Sequence, residues 1–311
     1  MTSVIFMGTP YFSVPVLQRI IADGYEVKAV VTQPDRPVGR KKVLTPPPVK
    51  SEALNHDLKV IQPEKLSGSD ELKEIIALEA DLIITAAFGQ LLPKELLDAP
   101  KLGCINVHAS LLPELRGGAP IHHAIIRGYE KTGITIMYMA EKLDAGDIIS
   151  QREVGITDED HVGSLHNKLS ETGADLLSET LPLLIDGKAD RTEQNHEQAT
   201  YAWNIKREEE KIDWNRPGRE VFNQIRGLYP WPTAYTTFRD KPLKIQQAKL
   251  STGSGAPGEI IGVDGEGLLI ATADAEAVLV TELQPSGKKK MAAADFMRGS
   301  NIQVGEKVQY E

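Results

Sequence analysis

Cysteine is nearly absent from this chain: Cys104 is the only one among 311 residues. No intrachain disulfide can form, which fits a reducing compartment, and a lone cysteine is expected to act as a small buried apolar residue. Long apolar runs are missing as well. The longest run of apolar residues and Thr, Leu82–Phe88, is far too short to cross a bilayer. Met1–Pro15 carries no Lys or Arg ahead of its apolar residues and is broken by Pro10 and Pro15, so it does not read as a secretory signal. There is no internal repeat, no low-complexity tract and no excess of basic charge. Lys and Arg total 35 against 44 Asp and Glu, and the net charge is −9. Residues 1–205 hold 20 basic against 29 acidic residues, whereas 206–311 balance 15 against 15. Bulk composition therefore shows no nucleic-acid footprint, and any such contact has to be local. A cytoplasmic, monomeric protein without membrane attachment is expected.

What is present is ordinary globular composition, 41% hydrophobic and 25% charged, in a chain long enough for two domains. The first part alternates strand and helix patterns. Ser3–Met7 is an apolar run ending at Gly8, and a helical stretch then runs from Pro10 to about Ala22. Val27–Thr32, Leu82–Ala86, Cys104–His108 and Ile134–Tyr138 read as further strands. Asp70–Glu79 and Val162–Ile185 read as helices. Such runs predict an α/β fold: a doubly wound, mostly parallel, Rossmann-like sheet covered on both faces. Gly187–Thr200 is polar and reads as a linker. Beyond a helix near Gly218–Arg226 come short β-branched segments, namely Thr233–Phe238, Leu243–Ala248, Gly258–Ile261, Leu268–Ala271 and Val278–Leu283. They predict a smaller C-terminal β-barrel of the oligonucleotide-binding (OB-like) type. The expected division is 1–188 catalytic, 189–206 linker and 207–311 β-barrel.

Gly8-Thr9-Pro10 lacks the three-glycine dinucleotide fingerprint, so a nicotinamide site is not supported. No His or Cys cluster has metal-ligand spacing, and adjacent His122-His123 face different directions on a helix. Asn106 and His108 are more telling. Two apart on a strand, they share a face, at the carboxyl end where open α/β sheets bind ligands. A Pro- and Gly-rich loop follows, and Asp144 comes after the next strand. A carboxamide, an imidazole and a carboxylate from separate strand ends suit acyl transfer. The amide donates to an oxyanion, the imidazole handles protons or donates as well, and the carboxylate orients it. By residue type alone, the same groups could equally serve to satisfy loop backbone.

The stretch INVHASLLPELRGGAPIHHAIIRG, with LDAGD downstream, resembles the signature of the formyltransferases that use 10-formyltetrahydrofolate. The likeness runs from VIFMGTPYFS through TQPDRPVGRKK to WPTAY and QPSGKKKM, and so covers both expected domains. It implies Asn106, His108 and Asp144 as catalytic residues and 10-formyltetrahydrofolate as co-substrate, with no metal. It also implies a folate-site loop at Ser110, Leu111, Leu112 and Pro113. A second loop, Phe88, Gly89, Gln90, Leu91 and Leu92, would line the pterin pocket with its backbone.

Within that family the acceptor varies. The basic segment Arg36, Arg40, Lys41 and Lys42, placed after the second strand, resembles the insertion by which one branch engages the acceptor arm of tRNA. The acceptor then implied is the α-amino group of methionine on aminoacylated initiator tRNA. Arg40 is the first candidate for the contact, since a guanidinium can stack or bind phosphate in bidentate fashion. Lys206, Arg207, Lys211, Lys288, Lys289 and Lys290 are candidates for phosphate contacts from the second domain. Two rivals stand beside this reading. A nucleotide-linked amino-sugar formyltransferase leaves the basic loop unexplained, and a non-catalytic folate- or RNA-binding module leaves the Asn, His and Asp set unexplained.

Overall fold

A computed structural model describes residues 2–39, 41–263 and 265–309. The chain divides into two compact units. Residues 1–120, 131–155 and 166–203 form the first, and residues 121–130, 156–165 and 204–311 the second.

The elements of the chain's first part are β1 (Ser3–Gly8), α1 (Val14–Ala22), β2 (Glu26–Val31), β3 (Arg36–Val38), β4 (Val43–Thr45), α2 (Pro48–Asn55), β5 (Val60–Ile61), α3 (Asp70–Ala77), β6 (Leu82–Ala86), α4 (Lys94–Leu97), β7 (Cys104–His108), α5 (Pro120–Ile126), β8 (Lys131–Tyr138), β9 (Ile148–Gly155) and α6 (Val162–Ile185). Seven strands form one sheet in the order β5-β2-β1-β6-β7-β8-β9. From β5 to β7 every pairing is parallel; β8 and β9 run antiparallel. The sheet is thus mostly parallel, as expected, but its antiparallel edge contains β9, which the sequence pattern did not announce. From Ser150 onward the residues of β9 alternate between partly buried and exposed, so it lacks the continuous apolar run that marks a central strand.

All six residues of β1 are buried, because helices cover both faces of the sheet centre. The helix α1 answers this with Val14, Leu17 and Ile20 at three-residue spacing, all buried. Ser69 caps α3 by accepting from the Leu72 N–H at 3.1 Å, and Asp70 and Glu71 favour its positive end. The basic segment is not an irregular loop. The strands β3 and β4 pair Arg36 with Thr45 and Val38 with Val43, making an exposed two-stranded ribbon with Lys41 and Lys42 at its turn.

The remaining elements are α7 (Gly218–Gly227), β10 (Tyr235–Phe238), β11 (Lys241–Thr252), β12 (Ile260–Val263), β13 (Leu268–Ala271), β14 (Glu276–Pro285), β15 (Met291–Ala292), α8 (Ala293–Ser300) and β16 (Val308–Gln309). They form an antiparallel sheet in the order β12-β13-β14-β11-β10-β16. Register shifts in β11 between Ile245 and Ala248 coil it. Its two ends meet through backbone bonds from Ile260 N–H to Glu306 and from Val308 N–H to Gly258. Trp214, Val221, Phe222, Ile225, Ile245, Ile270 and Val280 fill the interior. Among the described residues, no helix is long and apolar enough to cross a membrane.

The expected linker 189–206 is not a free connector. Thr192 exchanges backbone bonds with Ile148, Gln194 is buried, and Ala202 pairs with Arg116 and Ala119, so residues up to Trp203 belong to the first unit. Polar composition concealed this, because the segment is anchored by hydrogen bonds and not by an apolar face.

Candidate active site

Parallel pairing of β6 with β7 brings the loops after both strands out at one edge of the sheet, where this fold class places ligands. Phe88–Leu92 follows β6, and Ser110–Pro113 follows β7. Both candidate folate loops therefore emerge side by side. The Phe88 and Leu92 side chains are core residues, whereas Leu91 is exposed. The Phe88 carbonyl is held by the Thr9 hydroxyl at 2.9 Å and by the Gln33 amide at 3.2 Å. Ser110 donates to the Glu114 carbonyl at 2.6 Å, and the Thr135 hydroxyl bridges the Ser110 carbonyl and the Leu112 N–H. Two stiffened loops on adjacent strand ends offer mostly backbone and neutral side chains, a lining that suits an uncharged heterocycle with several hydrogen-bonding edges.

Asn106 and His108 lie on one face of β7, as the two-residue period requires. The Thr85 hydroxyl, on the neighbouring strand, donates to Asn106 Oδ1 at 2.8 Å. The same hydroxyl lies 3.1 Å from the Ile105 carbonyl, so it ties the Asn106 carboxamide to the neighbouring strand. His108 is buried, 6% exposed, and its Nε2 lies 3.1 Å from the Leu115 carbonyl. A carbonyl only accepts, so Nε2 carries a proton. At the other end of the ring, Nδ1 lies 3.7 Å from Asp144 Oδ2. That separation is an electrostatic contact, longer than a hydrogen bond, so Nδ1 is not committed to the carboxylate. Asp144 is itself anchored: Oδ2 accepts the Gly117 N–H at 2.7 Å, and its backbone sits at φ 47°.

The carboxamide, imidazole and carboxylate singled out from the sequence are thus assembled at one edge of the first unit. The residues that hold them escaped sequence reasoning. Thr85 could have been found as the register partner of Asn106. Leu115 acts through its carbonyl and Gly117 through its N–H, roles that residue type does not encode. Cys104, two residues before Asn106, is buried, and burial pushes its thiol up to about 12, which removes it as a nucleophile at neutral pH.

The candidate basic residues are scattered by comparison. Arg36 is tied to Glu64 through both guanidinium ends, at 2.6 and 3.2 Å. Lys41 and Lys42 are exposed, and Arg40 lies outside the described residues. In the second unit Lys206, Arg207, Lys288 and Lys289 are exposed and Lys211 is half-buried, while Lys290 pairs with Glu282 at 3.2 Å.

Comparison with known proteins agrees with this geometry. A family described as formyl transferase matches residues 1–181, and a second, described as formyl transferase, C-terminal domain, matches residues 204–301. The methionyl-tRNA formyltransferase of Bacillus subtilis (strain 168) is 61% identical over 308 residues, covering 98% of this chain and 97% of that protein. That of Bacillus licheniformis is 59% identical over 313 residues, covering 100% and 99%. Among solved structures, the N-formyltransferase from Helicobacter canadensis, in complex with folinic acid and dTDP-3-aminofucose, superposes with TM-score 0.70 at 19% identity, covering 92% of this chain and 100% of that one. HypX from Aquifex aeolicus, in complex with tetrahydrofolic acid, gives 0.66 at 18% identity, covering 99% of this chain and 50% of that one. At such identity the two structures bear on the fold alone. Strand order, the assembled side chains and a match through both units lead to one conclusion: the chain belongs to the formyl transferase family.

Proposed function

We propose that this protein transfers the formyl group of 10-formyltetrahydrofolate to the α-amino group of methionine on initiator tRNA, in translation initiation. The identity of 61% with a methionyl-tRNA formyltransferase, sustained over 98% of the chain, carries the choice of acceptor. The neighbours titled sugar formyltransferases share the fold at 18–21% identity, which says nothing about the acceptor. In this reading the enzyme works as a monomer in the cytoplasm.

The co-substrate supplies an electrophilic carbonyl carbon on a nitrogen that can leave. Ser110–Pro113 and Phe88–Leu92 would hold its ring system. The amine must reach the site neutral, because an ammonium has no lone pair to form the new C–N bond. As that bond forms, charge grows on the formyl oxygen. Asn106 and His108 are the donors that would meet it, in a site where burial strengthens such bonds. Leu115 holds the ring at Nε2 and Asp144 faces Nδ1, so the imidazole is set before reaction begins. The proton lost by the attacking amine ends on the leaving nitrogen as the old C–N bond breaks.

Arg36, Arg40, Lys41 and Lys42 would contact the acceptor arm. Within the second unit, Lys206, Arg207, Lys211 and Lys288–Lys290 would contact phosphate, positioning tRNA without reading bases. The test is an assay with 10-formyltetrahydrofolate and three acceptors: methionyl initiator tRNA, methionyl elongator tRNA and a nucleotide-linked amino sugar. Formylation of the initiator tRNA alone is expected. Preferential turnover of the sugar would overturn the reading.

A further inference from the structure

From the Gln194 geometry we infer that this residue, in the segment that composition marks as a linker, is a positioning residue for Asp144; the inference rests on the formyl-transfer reading of the site. Its side chain is only 3% exposed. Its Oε1 accepts from Arg116 Nε at 3.1 Å and from Arg116 Nη2 at 2.6 Å. Its Nε2 donates to the Asp144 carbonyl at 2.9 Å and to the Gly146 carbonyl at 2.6 Å. Both lone pairs and both hydrogens of the carboxamide are used.

The two loops that this one amide ties together flank His108 from opposite ends of its ring. Arg116 lies between Leu115, whose carbonyl holds Nε2, and Gly117, whose N–H holds the Asp144 carboxylate. On the other loop, Asp144 holds φ 47°, a left-handed conformation that Asp adopts more readily than most non-glycine residues but that still needs a constraint to be fixed. Gln194 supplies that constraint by fixing the carbonyl of Asp144 itself and that of Gly146. Arg116 is a buried guanidinium that donates to Gln194 and to His196 Nδ1 at 3.0 Å. The placement of Asp144 against His108 is thereby decided by a residue 50 positions away in sequence.

Gln194→Glu separates the two halves of this clamp. It is isosteric and keeps an acceptor for Arg116, but it removes the N–H donors and sets a carboxylate oxygen against two carbonyls. The expected result is a kcat lower by on the order of 10²-fold, the cost of misplacing a reacting group by about 1 Å, with KM for formylfolate and for methionyl-tRNA unchanged. In an Asp144→Ala background the same substitution should cost nothing further, because the group it positions is gone. The His108 ring signals of the ligand-free protein, followed by NMR, should move in Gln194→Glu. Gln194→Met carries the same measurements if the first variant does not fold. A wild-type kcat in the single variant, losses that multiply in the double variant, or loss of folding in both variants would each overturn the inference. A wild type that fails to formylate methionyl-tRNA would instead sink the functional reading, while the His108 signals would still report on Gln194.

Discussion

The Asp144 carboxylate accepts the Gly117 backbone N–H at 2.7 Å, so main chain fixes the carboxylate that faces His108 while the Gln194 side chain fixes the Asp144 carbonyl. Gly117 can make this bond because it sits at φ 116° with the Ala202 carbonyl packed against it. A Cβ there would lie 2.7 Å from that oxygen. Gly117→Ala should therefore both strain the backbone, by about 1–2 kcal/mol for the left-handed region alone, and push the segment at Ala202 away. We expect a lower melting temperature together with a lower kcat. An alanine variant with wild-type melting and turnover would show that the loop can relax freely.

Asn106→Ala and His108→Ala should each lower kcat by roughly 10²–10³, the usual cost of deleting one donor to a developing oxyanion. Single-turnover formylation under saturating co-substrate measures this. Near-normal rates in both variants would contradict the roles assigned to them.

Charge removal in the second unit should affect tRNA binding and leave the chemical step alone. Because Lys290 is already paired with Glu282, Lys288 and Lys289 should matter more than Lys290. Replacing both by Ala should weaken binding and reduce the slope of log K against log salt by about 0.7–0.9 for each phosphate that is no longer neutralised. An unchanged slope in a salt titration would make the pair merely solvated lysines.

Acid stability has a local source at Asp81, whose carboxylate accepts from the Ser3 N–H and the Ser3 hydroxyl, both at 2.8 Å. These bonds hold its carboxyl below the usual carboxylate range. A carboxyl group whose folded value is depressed contributes stability above its unfolded value, near 3.8, and that contribution fades as pH falls through the folded value. Melting temperatures between pH 6 and pH 2 should accordingly fall less steeply in Asp81→Asn than in the wild type. Parallel curves would remove Asp81 from the account.

Cys104 should resist thiol reagents in the native protein, since it is buried and its thiol is raised to about 12. One reactive thiol should appear on denaturation. Rapid labelling of the folded enzyme would mean that β7 opens readily, which is incompatible with a site built on that strand.

How much was legible follows from where each kind of information resides. The central strands and the long helix α6 could be read because uniform apolar runs and helical spacing are properties of the sequence itself. Leu82–Ala86, Cys104–His108 and Val162–Ile185 carry such signals and sit where they were expected. The antiparallel edge strand β9 and the β3–β4 ribbon were not legible, since a half-exposed strand and a solvated ribbon leave no apolar run.

By itself, the sequence determined the chemistry available: a carboxamide and an imidazole on one face of a strand, a carboxylate after the next, and glycines where backbone must approach. Tertiary structure alone decided that His108 is held at Nε2 by a carbonyl, that Asp144 faces Nδ1, and that Thr85 and Gln194 position the groups around them. The physical reason is that a hydrogen bond joins atoms, not residue types. Its partner can be any peptide group that the fold brings within about 3 Å, and no local pattern of side chains announces which one that will be.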